Sequence, residues 1–451
     1  MKIIKSKAHS NADGFLDRIP WFQFGLLATL FGLWAIAASL NDILITNFRS
    51  LFELSNLATA FVQTAFYLGY FVVAIPVSRF IRRYTYRQAI ITGLIFYIIG
   101  CSLFFPASHS GTYAPFLFAL FVVAVGLSFL ETSANTYAAM MGPKSSSTRR
   151  LTIAQTFYPI GSIAGVLMGK YLIFGSGATL EDRLAAATNL EEKHKIAEEA
   201  LQATLHPYLL IIAILVVVLI LFIITEFPSC KPTHGGKKVH AGIGETLVYL
   251  FKDRDFKIGI VTQFIYMALQ TAVWSYIIRL ALDVDGSLNE RTASNFLIAA
   301  FVLLFLGRAS AAFLMGRFRP PVVLTTYSVL GLICMIYVTF GFGLTPVYAA
   351  VLSVLFFAPC WPAIYGETLK CIGDSRYVET GGAIIVMSIV GGAVGPVLQG
   401  AAADIFGSMQ VSFIVPAACY VVVLAYFIYM IKAETKYDIP SPEDSSAAVG
   451  D

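Results

Sequence analysis

Twelve apolar runs, each long enough to cross a bilayer, divide this chain. They lie at about 22–44, 57–78, 89–107, 115–141, 151–174 and 207–227, then at about 258–282, 294–316, 322–341, 347–369, 380–404 and 410–431. A spanning helix needs roughly 20 predominantly apolar residues, so the pattern predicts an all-α membrane protein of twelve transmembrane helices. Composition agrees: 57% of the 451 residues are hydrophobic, 13% are charged, and mean hydropathy is +0.75. A soluble domain carries about twice that share of charge. Those values exclude a soluble enzyme, a disulfide-stapled secreted domain and a disordered tail. The net charge of +4 is scattered between apolar runs, which argues against a nucleic-acid partner. Six cysteines stand without any CxxC spacing, and Cys101, Cys334, Cys360 and Cys419 read as small hydrophobes inside spans.

The runs fall into two sets of six. The expected organisation is a tail over 1–20, a six-helix bundle over 21–227, a linker over 228–257, a second six-helix bundle over 258–431, and a tail over 432–451. The polar start followed by an apolar run lacks a small-residue cleavage pattern, so it reads as a first span and not as a signal peptide. With the N-terminus placed in the cytoplasm, 23 of the 31 Lys and Arg residues fall on the cytoplasmic side. Lys and Arg accumulate on that side of membrane proteins, so both termini are expected in the cytoplasm. The sequence has no Asn-x-Ser/Thr acceptor, which leans toward the plasma membrane of a bacterium. Thr179–Thr204 reads as an amphipathic surface helix in an outer loop. Pro228–Lys257 reads as a solvated connection, helical from Gly244.

Two spacings recur between the halves. Leu68-Gly69 and Arg79-Phe80 match Leu306-Gly307 and Arg317-Phe318 at an offset of 238. Ile160-Gly161-Ser162 with Gly165 matches Val390-Gly391-Gly392 with Gly395 at an offset of 230. A parallel duplication of six spans predicts a transporter of two pseudo-symmetric six-helix bundles that rock about a central site.

Charged groups inside hydrocarbon cost about 2.5–3.5 kcal/mol on insertion scales and usually face a cavity. Glu131 stands in the middle of span 4, with Asn135 four residues on and on the same helical face. Desolvation there disfavours the charged form, which suits the group to carrying a proton; the plainer reading is a carboxyl hydrogen-bonded between helices. Asp42, beside Asn41, reads either as a second functional carboxylate or as a solvated helix end. Arg279 and Arg308 read as counter-ions, Arg308 equally as a packing residue, while Glu367 and Asp404 read as solvated or capping groups at span ends. Gln155, Tyr158 and Ser162 share one face of span 5; Gln263, Met267, Gln270 and Trp274 share one face of span 7. Amides both donate to and accept from hydroxyls, and an indole packs on the C–H face of a sugar, so these stripes suit a polyol. Trp361 stands at Glu131's place under the 230 offset. Gly391 and Gly395 form a small-xxx-small pair that lets helices approach closely. No metal cluster, cofactor fingerprint or catalytic motif accompanies them, so neither an enzyme nor an ATP-driven pump is expected.

Asn41-Asp-Ile-Leu44, Gln63-Thr-Ala-Phe-Tyr-Leu-Gly-Tyr-Phe71, Leu130-Glu-Thr-Ser-Ala-Asn135, Ala154-Gln-Thr-Phe157, Gln270-Thr-Ala-Val-Trp-Ser-Tyr-Ile-Ile-Arg279 and Ile385-Val-Met-Ser-Ile-Val-Gly-Gly392 carry a resemblance. From about Trp21 to Ile431 the chain resembles the L-fucose:proton symporters of the major facilitator superfamily. The resemblance implies proton-driven sugar uptake with alternating access. It implies that Asp42 and Glu131 bind sugar hydroxyls and take up the proton, and that Gln155 contacts sugar. Gln63 and Tyr67, from the span 2 motif, join Asn41, Asn135, Tyr158, Gln270, Trp274 and Trp361 as expected substrate contacts. Three positions depart from the family's fucose permeases. Tyr158 replaces Asn, Asn135-Thr136 replaces Asn-Pro, and Trp361-Pro362 replaces Tyr-Pro. They leave glucose, galactose or another hexose open beside L-fucose. The partners expected are a monosaccharide, a proton and the lipid bilayer, around a monomer. A proton-driven drug exporter and a non-transporting sugar sensor are the rival readings.

Overall fold

A computed structural model describes residues 8–433 apart from 12, 52–55, 111, 232–241, 289 and most of 169–188; the side chains of 41–68 also fall outside the described residues. The first helices are α1 (Trp21–Leu51), α2 (Asn56–Arg83), α3 (Tyr86–Ser110), α4 (Tyr113–Met140), α5 (Ser147–Gln155), α6 (Phe157–Met168) and α7 (Leu190–Ile224). After a short α8 (Ile243–Lys252) come α9 (Arg254–Val284), α10 (Glu290–Leu314), α11 (Pro320–Phe340), α12 (Thr345–Phe357), α13 (Cys360–Lys370), α14 (Val378–Met387), α15 (Gly391–Phe406) and α16 (Ile414–Ala433). Among the described residues eleven helical stretches are long and apolar enough to cross a membrane, and α2, 28 residues long, makes the twelfth crossing.

Three crossings are broken. Span 5 divides into α5 and α6 at Thr156, span 10 into α12 and α13 at Ala358-Pro359, and span 11 into α14 and α15 around a 3₁₀ turn at Ser388–Val390. Proline accounts for the first two. It has no N–H and crowds the preceding turn, so it fits best near a helix start. Pro159 is the third residue of α6 and Pro362 the third of α13. At Thr156 the backbone keeps helical angles, φ −65° and ψ −20°, so the interruption in span 5 is local within a single crossing.

Packing reproduces the duplication. A Cβ on Gly161 would strike the Gly32 carbonyl of α1, and one on Gly165 would lie 2.9 Å from the Ile36 carbonyl. In the other half, Gly391 and Gly395 lie on the Phe264 and Ala268 carbonyls of α9. Each pair of glycines thus meets a pair of carbonyls four residues apart on the first helix of its own half. Likewise Gly69 brings α2 onto Ala124 of α4, as Gly307 brings α10 onto Leu355 and Ala358 of span 10. Small residues at these crossings allow the backbone contact that drives helix association in lipid.

The segments outside the spans are less solvated than the sequence suggests. Phe15 and Leu16 are buried, and the Leu16 N–H donates to the Met140 carbonyl at 3.1 Å. Part of the N-terminal segment therefore folds back as a hook on the end of α4. At the start of the expected linker, Cys230 and Lys231 are buried, with Lys231 Nζ donating to the Arg82 carbonyl at 2.8 Å. From Leu190 the acidic and basic residues expected as a separate surface helix continue into span 6 as the single helix α7. Asn189 caps it by accepting from the Glu192 N–H at 2.7 Å, with Glu191 and Glu192 in the first turn, the arrangement that complements the helix dipole.

Candidate functional site

The first half contributes a short polar chain from α4, α5 and α2. Glu131 is 8% exposed, and the Tyr70 hydroxyl of α2 hydrogen-bonds its carboxyl. One turn on, Asn135 Nδ2 donates to the Glu131 carbonyl at 2.9 Å, and its Oδ1 accepts from Gln155 Nε2 at 2.8 Å. Spacing i, i+4 puts Glu131 and Asn135 on one face of α4, and the end of α5 at Thr156 sets Gln155 against that face. Tyr158, just past the break, lies under the Arg308 guanidinium at 5.3 Å.

The second half brings amides and indoles. Gln263 and Gln270 are buried along one face of α9, and Trp274 follows one turn later with its ring edge-on to Phe301 at 5.4 Å. Trp361, at the start of α13, stacks on Tyr365 with ring centroids 5.4 Å apart. Gln263 Nε2 reaches the Trp361 carbonyl at 3.5 Å. Gln263 Oε1, Gln270 Oε1 and Trp274 Nε1 are all buried without a hydrogen-bond partner. A buried polar atom without a partner costs about 1–3 kcal/mol. Two acceptors and one donor are left so along one helical face.

On the side of the chain termini the halves are tied together, and these ties form the floor of the site. Thr136 and Tyr365 share a hydrogen bond of 2.7 Å. Thr148 Oγ1 donates to Glu367 Oε1 at 2.8 Å, and Lys370 Nζ reaches the same oxygen at 2.8 Å. Glu367 is therefore no solvated span end: it is buried and bonded across the halves. Glu379, at the start of α14, is another buried carboxyl that the sequence did not single out; Arg82 and Lys231 are the cations beside it.

Arg308 is resolved by geometry. Its Nη1 donates to the Gln155 carbonyl at 2.6 Å and its Nε to the Ala358 carbonyl at 3.0 Å. In an unbroken helix those carbonyls would accept from residues 159 and 362, four positions on, and both of these are prolines. The arginine serves two carbonyls that proline leaves without donors, one in each half. Arg308 is a packing residue for the broken helices. Arg279 is exposed and lies over Tyr276 of its own helix at 5.3 Å, away from the polar chain. Asp404 is exposed.

Of the expected site residues, Glu131, Asn135 and Gln155 form one bonded chain, with Tyr158 beside it. Gln270, Trp274 and Trp361 belong to the facing half. Asn41, Asp42, Gln63 and Tyr67 stand on helical backbone of α1 and α2, but their side chains lie outside the described residues. Tyr70 and Tyr365 are the contacts that sequence reasoning missed. Among the described residues no three His, Cys, Asp or Glu side chains gather as a metal site would need.

Comparison with known proteins places this arrangement. Residues 21–384 match the sequence profile of the Major Facilitator Superfamily. The chain is similar to the L-fucose-proton symporter of Escherichia coli strain K12, 33% identical over 415 residues, covering 92% of this chain and 94% of the relative. It is also similar to the glucose/galactose transporter of Brucella abortus, 30% identical over 414 residues, covering 90% of this chain and 93% of the relative. Among solved structures it is similar to FucP, a Major Facilitator Superfamily transporter in the outward conformation. The TM-score is 0.82 and the identity 32%, covering 90% of this chain and 98% of that one.

Proposed function

The chain belongs to the Major Facilitator Superfamily, and we propose that it imports a monosaccharide, L-fucose first, by proton symport with alternating access. The observation that carries this reading is the pairing of two unlike surfaces. One half has a buried carboxyl, Glu131, one turn from the bonded amides Asn135 and Gln155; the other has two unpaired amide oxygens and an unpaired indole N–H along one face of α9. Relatives named for L-fucose–proton symport and for glucose and galactose transport support the substrate class.

In this reading Glu131 takes up the proton and Asp42 is the second carboxylate. Asn41, Gln63, Tyr67, Asn135, Gln155 and Tyr158 hold the sugar from one half, and Gln270, Trp274 and Trp361 from the other. With the floor closed by Thr136–Tyr365 and Thr148–Glu367, sugar and proton enter from the side away from the termini. Closure of the second half onto the sugar satisfies Gln270 and Trp274, which gives the ligand its different contacts in the two states. Rocking then breaks the floor, and Glu131 releases its proton on the other side. Both termini lie in the cytoplasm of a bacterial cell whose inner membrane holds the monomer. The bundles span 21–227 and 258–431, joined through 228–257.

Glucose or galactose is the second reading, supported by the relative named for glucose and galactose transport. The deciding experiment adds single sugars to a lightly buffered, anaerobic suspension of de-energised cells expressing the protein. External alkalinisation on L-fucose is the expected result. Alkalinisation on glucose or galactose alone moves the substrate and keeps the mechanism. Radiolabelled sugar exchange without any pH change removes proton coupling, and absence of both signals removes sugar transport.

A further inference from the structure

Beside the site, where span 5 of one half meets span 8 of the other, the surface holds a crevice of about 320 Å³. Ile153, Thr156 and Phe157 form one wall, and Ala309, Ala312 and Phe313 the other. Phe157 and Phe313 expose 38% and 60% of their surface, on helices that cross the membrane. The slot suits a hydrocarbon chain and not a sugar, because the one hydroxyl in its walls, Thr156 Oγ1, already donates to the Thr152 carbonyl at 3.0 Å.

Charge gathers at one end only. Arg149, exposed, lies in the crevice on the termini side and spends its Nε–H on the Ala312 carbonyl of the opposite half at 3.1 Å. A guanidinium carries five N–H donors in a planar fork suited to phosphate, and its Nη2 packs beside Gly316 of the opposite half. Arg317, also exposed, lies over the Phe313 ring at 5.0 Å, which sets a second cation beside the same wall. An apolar slot lined by Arg149 at one end, with Arg317 on the Phe313 ring of its wall, has the chemistry of a phospholipid with an anionic headgroup.

We propose that this crevice is a phospholipid site, with one acyl chain lodged between Phe157 and Phe313 and an anionic headgroup phosphate held by Arg149 and Arg317. Its two walls belong to different halves, so the bound lipid bridges them and favours the arrangement closed on the termini side. Its span 5 wall, Ile153–Phe157, is also the backbone that carries Gln155 to Asn135. Occupancy of the crevice therefore bears on the sugar site from behind. The site stands whichever sugar is carried, because lipid binding is read without transport.

The test uses Phe313→Trp in the full-length protein, reconstituted into vesicles containing brominated phosphatidylglycerol or brominated phosphatidylcholine at equal mole fraction. The signal from the four native tryptophans is measured in the unsubstituted chain and subtracted. The site predicts that the introduced indole is quenched in preference by the phosphatidylglycerol, with a relative affinity of about fivefold or more. Arg149→Gln combined with Arg317→Gln then makes the two lipids equivalent. Phe157→Trp, on the other wall, provides an independent reporter if Phe313→Trp does not fold. Equal quenching with both arginines intact overturns the proposal, as does a preference that survives their removal.

Discussion

The two halves of this transporter are alike in packing and unlike in chemistry. Gly161 and Gly165 seat span 5 on carbonyls of α1, and Gly391 and Gly395 seat span 11 on carbonyls of α9 in the same way. At the offset that aligns those glycines, Glu131 corresponds to Trp361. One half has a buried carboxyl with Asn135 and Gln155 bonded to each other one turn away; the other has an aromatic, amide-rich face on which Gln263 Oε1, Gln270 Oε1 and Trp274 Nε1 are unpaired. Duplication preserved the contacts that let helices cross and left the central faces free to diverge. A site between two such halves can keep proton handling in one while both hold the substrate.

The sharpest way to break that division is Glu131→Gln. Accumulation against a gradient is expected to fall to the level of vesicles without protein, while exchange of labelled for unlabelled sugar persists. Uphill accumulation with the normal pH dependence would move proton carriage to another group. Next in size are the paired substitutions Gly161→Leu and Gly391→Leu. Overpacking costs about 1–3 kcal/mol, occasionally more, and here backbone carbonyls must move. Comparable drops in thermal midpoint are expected for the two; a large drop in one and none in the other would break the packing symmetry.

Gln270→Ala and Trp274→Ala test recognition. In the proposed site each takes away one hydrogen bond to the sugar, worth about 1 kcal/mol, so sugar affinity should weaken about fivefold or more, with protons moved per sugar unchanged. An altered proton-to-sugar ratio would show that the second half shares in coupling. The smallest effect is expected from Thr148→Val, which removes the donor to Glu367. It should shift the balance of the two states about fivefold toward opening on the termini side, read as faster alkylation of a cysteine introduced near the floor. An unchanged rate would mean that Thr148–Glu367 does not hold the floor.

Much of the fold was legible because the bilayer demands apolar runs of fixed length, and twelve were present. Glu131 was equally legible, since a lone carboxyl in the middle of an apolar span stands out. Tyr70 was not, because it sits among Phe66, Tyr67 and Phe71, where nothing in the pattern favours one ring over another. Glu367 was misread because Lys370 follows at i+3 and the pair looks like an ordinary helix end. Only the neighbouring half, which supplies Thr148, makes that end an interior. The break at Thr156 was missed although Pro159 announced it, because an apolar run hides local backbone geometry. The hook at Phe15 and Leu16 depends on a carbonyl of Met140 more than a hundred residues away, which no local signal reports.

The two hydrogen bonds of Arg308 to main-chain carbonyls carry a consequence for how such a protein can change its cargo. The arginine grips carbonyl oxygens of the main chain, not side chains, and prolines four positions on made those oxygens available. Any residue can stand at position 155 and still present that oxygen. A lineage can therefore trade Gln155 for another side chain, and try another sugar, without loosening this tie between the halves. Substrate choice and mechanical integrity meet at one residue there and are written in different atoms.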